Sequence, residues 1–178
     1  HFVLPPFYIL FALPFYFISI PILGFFDARM PLLFLFLVLL VGAAKLVKDS
    51  QKRLLFLIFL AFNPATLLYA LEGRSDFSMF GFLFLAFLLL HKQRYSLAGI
   101  PMAMAFAVKQ SAWPILPLYI AFLYFKNRGI MQTIKHLSLF VIALVAIFVP
   151  FLLWDTKALL DSIIFYLSGS TPHSYPVS

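Results

Sequence analysis

Long unbroken runs of apolar residues constrain this chain more than any other feature. Residues 32–42, for example, read LLFLFLVLLVG and carry no polar side chain. A soluble domain is about 25% charged, whereas this chain is 11% charged and 64% hydrophobic. In a bilayer a lipid-exposed segment must satisfy its own backbone hydrogen bonds, and a helix does so. The sequence therefore predicts an all-α fold, a polytopic bundle of transmembrane helices integral to a membrane.

The apolar runs predict one transmembrane domain over residues 1–178. Residues 1–29 are expected to form a kinked segment, either a span or a stretch along the interface, because Pro14 and Pro21 each remove an intrahelical hydrogen bond. Residues 154–178 are expected to form an interfacial helix at the outer face, followed by a loop. The absence of an initiator Met indicates an internal fragment of a longer protein. Between these ends we expect six transmembrane helices, at residues 30–47, 54–71, 77–90, 95–108, 111–125 and 137–153.

The charges between these runs differ from one side of the predicted bundle to the other. If successive spans cross the membrane in opposite directions, one side of the bundle holds nine of the thirteen Lys and Arg residues but only one acid, Asp49. The positive-inside rule makes that side cytoplasmic, so the net charge of +7 does not indicate a nucleic-acid partner. The nine bases are Lys45, Lys48, Lys52, Arg53, Lys92, Arg94, Lys126, Arg128 and Lys135. The outer side holds Asp27, Glu72, Asp76, Asp155 and Asp161 with Arg29, Arg74, Lys109 and Lys157.

Two of the predicted spans are short. Residues 77–90 and 95–108 number fourteen each, about 21 Å of helix against a hydrocarbon core of about 30 Å. Unless the bilayer thins or side chains snorkel, the polar ends of these spans lie below the outer surface. We therefore predict a recessed polar site, open to the outside, formed by Glu72, Arg74, Asp76, Lys109 and Gln110.

Lys109 and Gln110 give the more specific signal for a binding site. A lysine at the end of a short apolar helix can simply extend its ammonium group to the interface. However, Trp113, Pro114 and Pro117 follow at once, so the backbone is expected to bend and to hold the cation partly buried. Such a cation is suited to bind a phosphate, and the Gln110 amide would orient a sugar hydroxyl or the same phosphate.

The stretch 72–76, EGRSD, has two interpretations. In one, Arg74 and Asp76 form a loop ion pair, with Asp76 as the N-cap of a helix that starts at Phe77. In the other, Asp76 or Glu72 contacts a polar substrate while Arg74 binds a phosphate, to which a guanidinium donates two parallel hydrogen bonds.

Asp27 and Arg29 form a charged corner. We expect a corner salt bridge, with lining of the same cavity as the alternative. No cofactor or metal is predicted, because His1 and His173 are isolated and no nucleotide-binding or zinc-protease motif occurs. The chain also has no cysteine, which excludes disulfides and Cys-based metal sites.

The order of these features resembles the GT-C superfamily of integral-membrane glycosyltransferases. Within it, the chain is most similar to bacterial mannosyltransferase-like proteins of the glycosyltransferase family 87 type. The EGRSD stretch and the KQ–AW pattern at 109–113 are moderately specific, and the remaining features are general to the superfamily. The resemblance rests on Pro5-Pro6, FDAR at 26–29, Asn63-Pro64, EGRSD at 72–76, Ala98-Gly99 and VKQSAW at 108–113.

The resemblance implies hexose transfer from a polyprenyl-phosphate donor to a lipid or glycan acceptor, on the extracytoplasmic face of a bacterial plasma membrane. It also implies that Lys109 and Arg74 meet the lipid phosphate and that Asp76 has a supporting role, with the main catalytic base outside these residues. It further implies that the segment 7–26 is a juxtamembrane helix pair. The alternative is a polytopic transporter or lipid flippase, although we find no internal repeat of the kind that transporters show.

Overall fold

Helices account for all the regular secondary structure that the computed structural model describes, which covers residues 6–160 and residue 163. The predicted all-α class is confirmed for these residues. In chain order the helices are α1 (Phe7–Leu23), α2 (Met30–Leu46), α3 (Ser50–Phe62), α4 (Pro64–Leu71), α5 (Ser75–His91), α6 (Tyr95–Val108), α7 (Leu116–Asn127) and α8 (Ile130–Leu160), with a 3₁₀ turn, Gln110–Ile115, between α6 and α7. Most of the segment 154–178, predicted to be an interfacial helix and a loop, lies outside the described residues, as do His1 and His173.

One helix in the described part of the chain is long and apolar enough to cross a membrane, the 28-residue stretch Ile130–Lys157. Four other helices are apolar but have only 10–17 residues. These are Phe7–Leu23, Met30–Leu46, Ser75–His91 and Tyr95–Val108.

The predicted span 54–71 is two helices rather than one. α3 ends at Phe62, Asn63 has an extended backbone (φ −62°, ψ 121°), and α4 begins at Pro64. Proline lacks an N–H donor and disfavours helical geometry in the residue before it, which favours a helix end at this position. α3 also begins earlier than expected, because Asp49 caps it by accepting a hydrogen bond from the backbone N–H of Lys52 at 2.8 Å.

Two other boundaries also differ from the prediction. Residues 130–136, expected to be a connector, form the first two turns of α8. The polar side chains there do not stop the helix, since only lipid exposure would make them costly. The predicted span 111–125 opens with the 3₁₀ turn, and regular helix begins only at Leu116 with Pro117 in its first turn.

α6 is the central helix of the bundle and packs between α5 and α8. Nine of its fourteen residues are buried, several of them Ala or Gly. The contact is closest at Gly99, where an added Cβ would lie 2.7 Å from the backbone nitrogen of Phe140 in α8. Small residues therefore set the distance between α6 and α8.

Side-chain contacts show which helix ends lie together. Leu88, late in α5, packs over Gly42, late in α2, so these two helices run parallel. Ser96 near the start of α6 hydrogen-bonds His136 near the start of α8, with 2.8 Å between Oγ and Nδ1. Because three-residue connections separate α2 from α3 and α5 from α6, neighbouring segments reverse direction at each of them.

The bundle consequently has two ends of different charge. The basic end holds the connections at 47–49, 92–94 and 128–129 and the nine bases that flank them. The opposite end, which we call the mixed-charge end, is defined by Asp27, Arg29, Glu72, Arg74, Asp76 and Lys109.

α1 crosses α5 and α2 near the mixed-charge end. The rings of Phe7 and Phe11 both pack against Phe82, with centroids 5.5 and 5.2 Å away. One turn further along α1, Phe15 packs against Phe34 at 5.4 Å. Phe82 lies two turns into α5 and Phe34 about one turn into α2, so successive turns of α1 contact different helices at a similar level.

Gly99→Ala is expected to lower the free energy of unfolding by about 1–3 kcal/mol, because the new methyl group would overlap the Phe140 backbone. Gly42→Ala is the matched control. Its Cβ meets only the flexible end of Leu88, and helix propensity gains roughly 1 kcal/mol. The free energy of unfolding of both variants is measured in micelles of a mild detergent to which a denaturing detergent is added. Equal losses of stability in the two variants would contradict the close α6–α8 contact.

Candidate functional site

A half-buried ion pair joins the start of α5 to the end of α6. The Nζ atom of Lys109 lies 2.6 Å from Oδ1 of Asp76, and the two side chains are 30% and 28% exposed. Asp76 is in the first turn of α5, while Lys109 ends α6 with an extended backbone (φ −154°, ψ 137°). A carboxylate at a helix N-terminus and an ammonium at a C-terminus both interact favourably with the helix dipole. The fold thus brings one member of each predicted charge cluster into contact.

Asp76 does not cap α5. The helix begins at Ser75, Arg74 occupies the N-cap position, and no side chain caps the free N–H groups. Arg74 pairs with Glu72 instead, with 2.6 Å between Nε and Oε2 and both side chains about half exposed. The alternative of an Arg74–Asp76 loop pair is therefore wrong, because α6 ends beside α5 and its lysine binds the Asp76 carboxylate.

The loop between α4 and α5 is held by α1 and by its own backbone. Gly73 has a positive φ of 71°, a conformation that glycine adopts at little cost. The Tyr8 hydroxyl of α1 donates a hydrogen bond to the Gly73 carbonyl oxygen at 2.8 Å. The Arg74 guanidinium carbon lies 5.1 Å from the centroid of the Tyr69 ring, within cation–π range. The turn before Arg74 is thus held by Tyr8, and the Arg74 side chain is held by Glu72 and the Tyr69 ring.

The corner before α2 forms the predicted salt bridge. The Arg29 side chain and its backbone N–H both donate to the Asp27 carboxylate, which lowers the pKa of Asp27 from 3.8 to about 2. The Arg29 stem also lies beside the Gly73 turn. Asp27 and Arg29 line a pocket of about 290 Å³ between this corner and the end of α4. The corner is therefore both a salt bridge and part of a pocket wall.

The 3₁₀ turn after Lys109 is anchored to the helices below it. Ser111 Oγ donates to Sδ of Met79 in α5 at 3.2 Å. Trp113 Nε1 donates to the carbonyl oxygen of Phe106 in α6 at 3.1 Å. These contacts fix the direction in which the chain leaves Lys109.

Gln110 faces the chain beyond α8. Its Nε2 atom lies 3.4 Å from the carbonyl oxygen of Ile163, a residue that is 7% exposed. α8 is bent at Asp155, whose backbone is not helical (φ −151°, ψ 89°). Ile163 therefore lies beside Gln110 at the end of α6.

The ion pair lies below the level of this bend. The hydrogen bond between Ser96 and His136 marks a common level on α6 and α8. Lys109 is thirteen residues beyond Ser96, about 20 Å along α6. Asp155 is nineteen residues beyond His136, about 29 Å along α8. Lys109 therefore lies roughly 9 Å short of the bend.

Every cation of the mixed-charge end is paired with one carboxylate. Within the described residues the pairs are Arg29–Asp27, Arg74–Glu72 and Lys109–Asp76. An anionic ligand that binds one of these cations competes with its carboxylate and can displace it. The displaced carboxylate is then able to accept a hydrogen bond or a proton from a hydroxyl group. The least exposed pair, Lys109–Asp76, is where this exchange has the largest electrostatic effect, because screening by water is weakest there.

Some polar residues of this end were not predicted. Tyr8 holds the Gly73 turn and Ser111 holds the 3₁₀ turn after Lys109. The only signal that could have identified them is that a buried hydroxyl group needs a hydrogen-bond partner. Ser78, two residues beyond Asp76, is fully buried, and its hydroxyl has no hydrogen-bond partner in the described part of the chain. No group of three or more His, Asp or Glu side chains that could hold a metal occurs among residues 6–160 and 163.

No family model, curated protein or solved structure matches this chain. Its chemistry is therefore inferred from its own residues. The resemblance to GT-C glycosyltransferases stays a prediction.

Asp76→Asn and Lys109→Met are each expected to lower the free energy of unfolding by about 1–3 kcal/mol, because each leaves a half-buried charge without its partner. The double variant is expected to lose less than the sum, since neither charge remains. Unfolding in micelles measures this coupling. The exposed pair serves as control, and Glu72→Gln with Arg74→Met should show a coupling below about 1 kcal/mol. If the stability losses of the two single variants simply add up in the double variant, the two charges do not interact, and the pair is contradicted.

Proposed function

We propose that this chain belongs to a polytopic membrane glycosyltransferase that moves a hexose, such as mannose, from a polyprenyl-phosphate donor to a lipid or glycan acceptor. The observation that carries the proposal is the Lys109–Asp76 pair. It places a cation suited to phosphate and a carboxylate suited to hydroxyl groups 2.6 Å apart, half-buried, at one end of a helical bundle.

The proposed topology is multi-pass, in a bacterial plasma membrane, with the basic end in the cytoplasm. α3 and α4 together make one crossing, and the 3₁₀ turn with α7 makes another. α1 is a single helix rather than the implied helix pair. We propose that it is juxtamembrane, and its contacts near the first two turns of α2 and α5 support this. The mixed-charge end then faces outward, and the shorter helices α5 and α6 leave its ion pair recessed beside the longer α8.

In the proposed reaction the donor phosphate displaces Asp76 from Lys109 and takes Arg74 as a second cation. The acceptor oxygen attacks the anomeric carbon on the face opposite the phosphate. A bond from that oxygen to the carbon forms while the bond from the carbon to the phosphate oxygen breaks, and the polyprenyl phosphate leaves with the electron pair. Lys109 and Arg74 neutralise the charge that develops on the leaving phosphate.

The displaced carboxylates support this step. Asp76, once released from Lys109, accepts a hydrogen bond from a sugar or acceptor hydroxyl, and Glu72 does the same when Arg74 turns to the phosphate. A general base takes the acceptor proton. Gln110 orients a hydroxyl or the phosphate, and the pocket beside Asp27 and Arg29 holds part of a substrate.

Lys109→Ala and Asp76→Asn are each expected to reduce sugar transfer at least 100-fold, since both groups act on the reacting phosphate and its surroundings. The measurement is transfer from radiolabelled polyprenyl-phosphate sugars by the protein in liposomes. Lys126→Ala, an exposed base at the opposite end, should retain wild-type transfer. Wild-type protein that transfers no sugar but moves a substrate across the bilayer would replace the proposal with a transporter.

Orientation has its own test, because the chain contains no cysteine. Ala28 and Gln51 are exposed residues at the mixed-charge and basic ends. Ala28→Cys should react with a membrane-impermeant maleimide on intact cells. Gln51→Cys should react only after the membrane is permeabilised. The reverse pattern, or reaction of both on intact cells, would be incompatible with the proposed topology.

A further inference from the structure

An apolar groove lies between α4 and α5 and leads to Arg74. Its volume is about 360 Å³. Along α5 it extends from Phe77 to Phe84, about 10 Å of helix. The only side-chain hydroxyls in its lining belong to Thr66 and Tyr69 of α4. A groove of this kind is suited to a hydrocarbon chain.

Two local features of the sequence create this space. The break at Asn63 and Pro64 changes the direction of the chain between α3 and α4, and α3 has no buried residue. On the other wall, Gly81 has no side chain, and a Cβ there would lie 2.6 Å from a methyl carbon of Leu35. The groove is therefore bordered by α3 at Leu60 and closed on the other side by the close contact of α5 with α2.

The Arg74 guanidinium, paired with Glu72, lies at the end of the groove nearest the mixed-charge end. Tyr69 lines the groove, and the Arg74 guanidinium lies over its ring at 5.1 Å. The contact of Arg74 with Glu72 uses Nε. Within the described residues the two terminal nitrogens of Arg74 have no hydrogen-bond partner, so their N–H groups can bind an anion bidentately. Apolar walls with a guanidinium at one end are complementary to a lipid with an anionic headgroup.

We infer that this groove binds the hydrocarbon chain of a single-chain lipid phosphate, with the phosphate at Arg74. The identity of the lipid, a prenyl phosphate, rests on the proposed function. A second apolar cavity beside α3 is lined by Ala44 and Leu57, near the basic end. It does not reach the end that carries Arg74, so that cavity cannot take a second chain from the same headgroup.

This position also connects the lipid to the ion pair. Arg74 and Asp76 are separated by one residue at the start of α5. A phosphate held by the terminal nitrogens of Arg74 therefore lies at the same end of the bundle as the Lys109–Asp76 pair. Binding of the chain in the groove thus brings the headgroup to the end that holds this pair.

Photolabelling with a farnesyl phosphate that carries a diazirine in its chain tests this site in the protein reconstituted in lipid nanodiscs. Labels should map to α4 and α5 between residues 66 and 84. Thr66→Phe, which fills the groove, should reduce labelling at least tenfold. Leu68→Phe, the same new side chain on an exposed position of α4, should leave it unchanged. Arg74→Gln should raise the half-saturating probe concentration about tenfold.

Leu60→Trp fills the groove from α3 and serves as a second variant if Thr66→Phe does not fold. Labels elsewhere, or labelling that neither variant reduces, would overturn the inference. Competition by a diacyl phosphatidic acid as strong as that by unlabelled farnesyl phosphate would overturn the single-chain assignment. Sugar transfer without labelling of the groove would leave the proposed function intact and remove this site. Labelling of the groove without sugar transfer would keep this site and remove the proposed function.

Discussion

The close approach of α6 to its neighbours determines where Lys109 lies at the mixed-charge end and therefore whether it meets Asp76. Lipid tails are as apolar as leucine, so helices in a bilayer associate through close packing rather than through burial from water. α6 provides that packing with Ala98, Gly99, Ala103 and Ala105, all buried. Lys109 is ten residues beyond Gly99 on the same helix. Its distance to Asp76 is thus fixed by contacts nearly three turns away, and a shift of α6 would separate the two charges.

Apolar runs predict helix existence well here and helix ends less well. The expected spans 30–47, 77–90 and 95–108 agree with α2, α5 and α6 within about two residues, because charged residues mark both ends of each run. The break at Asn63 and Pro64 was visible in the sequence as a proline after an asparagine, but the apolar run that surrounds it was the stronger signal. The extension of α8 to Ile130 was not predictable from hydropathy, since helix can continue outside an apolar core.

The charged residues show a similar limit. Charge clusters in an apolar chain predict that Asp76 and Lys109 share one region, because an isolated charge there is costly. Which acid binds which base depends on tertiary placement. Glu72 and Asp76 are both two residues from Arg74 in sequence, yet the turn at Gly73 directs Arg74 to Glu72, while the end of α6 supplies a base to Asp76. The corner pair at Asp27 and Arg29 needs no such information, since it is local.

The exposure of α3 has a consequence for the bilayer around it. Since no residue of α3 is buried in the bundle, and the protein is proposed to lie in a membrane, the surrounding acyl chains determine how firmly this helix is pressed against α2 and α5. Thicker, more ordered lipid and thinner, more fluid lipid would then hold α3 at different tilts. In the proposed membrane location, the width of the groove that α3 borders would depend on the membrane's physical state as well as on the protein, so that temperature and lipid saturation would change access to it.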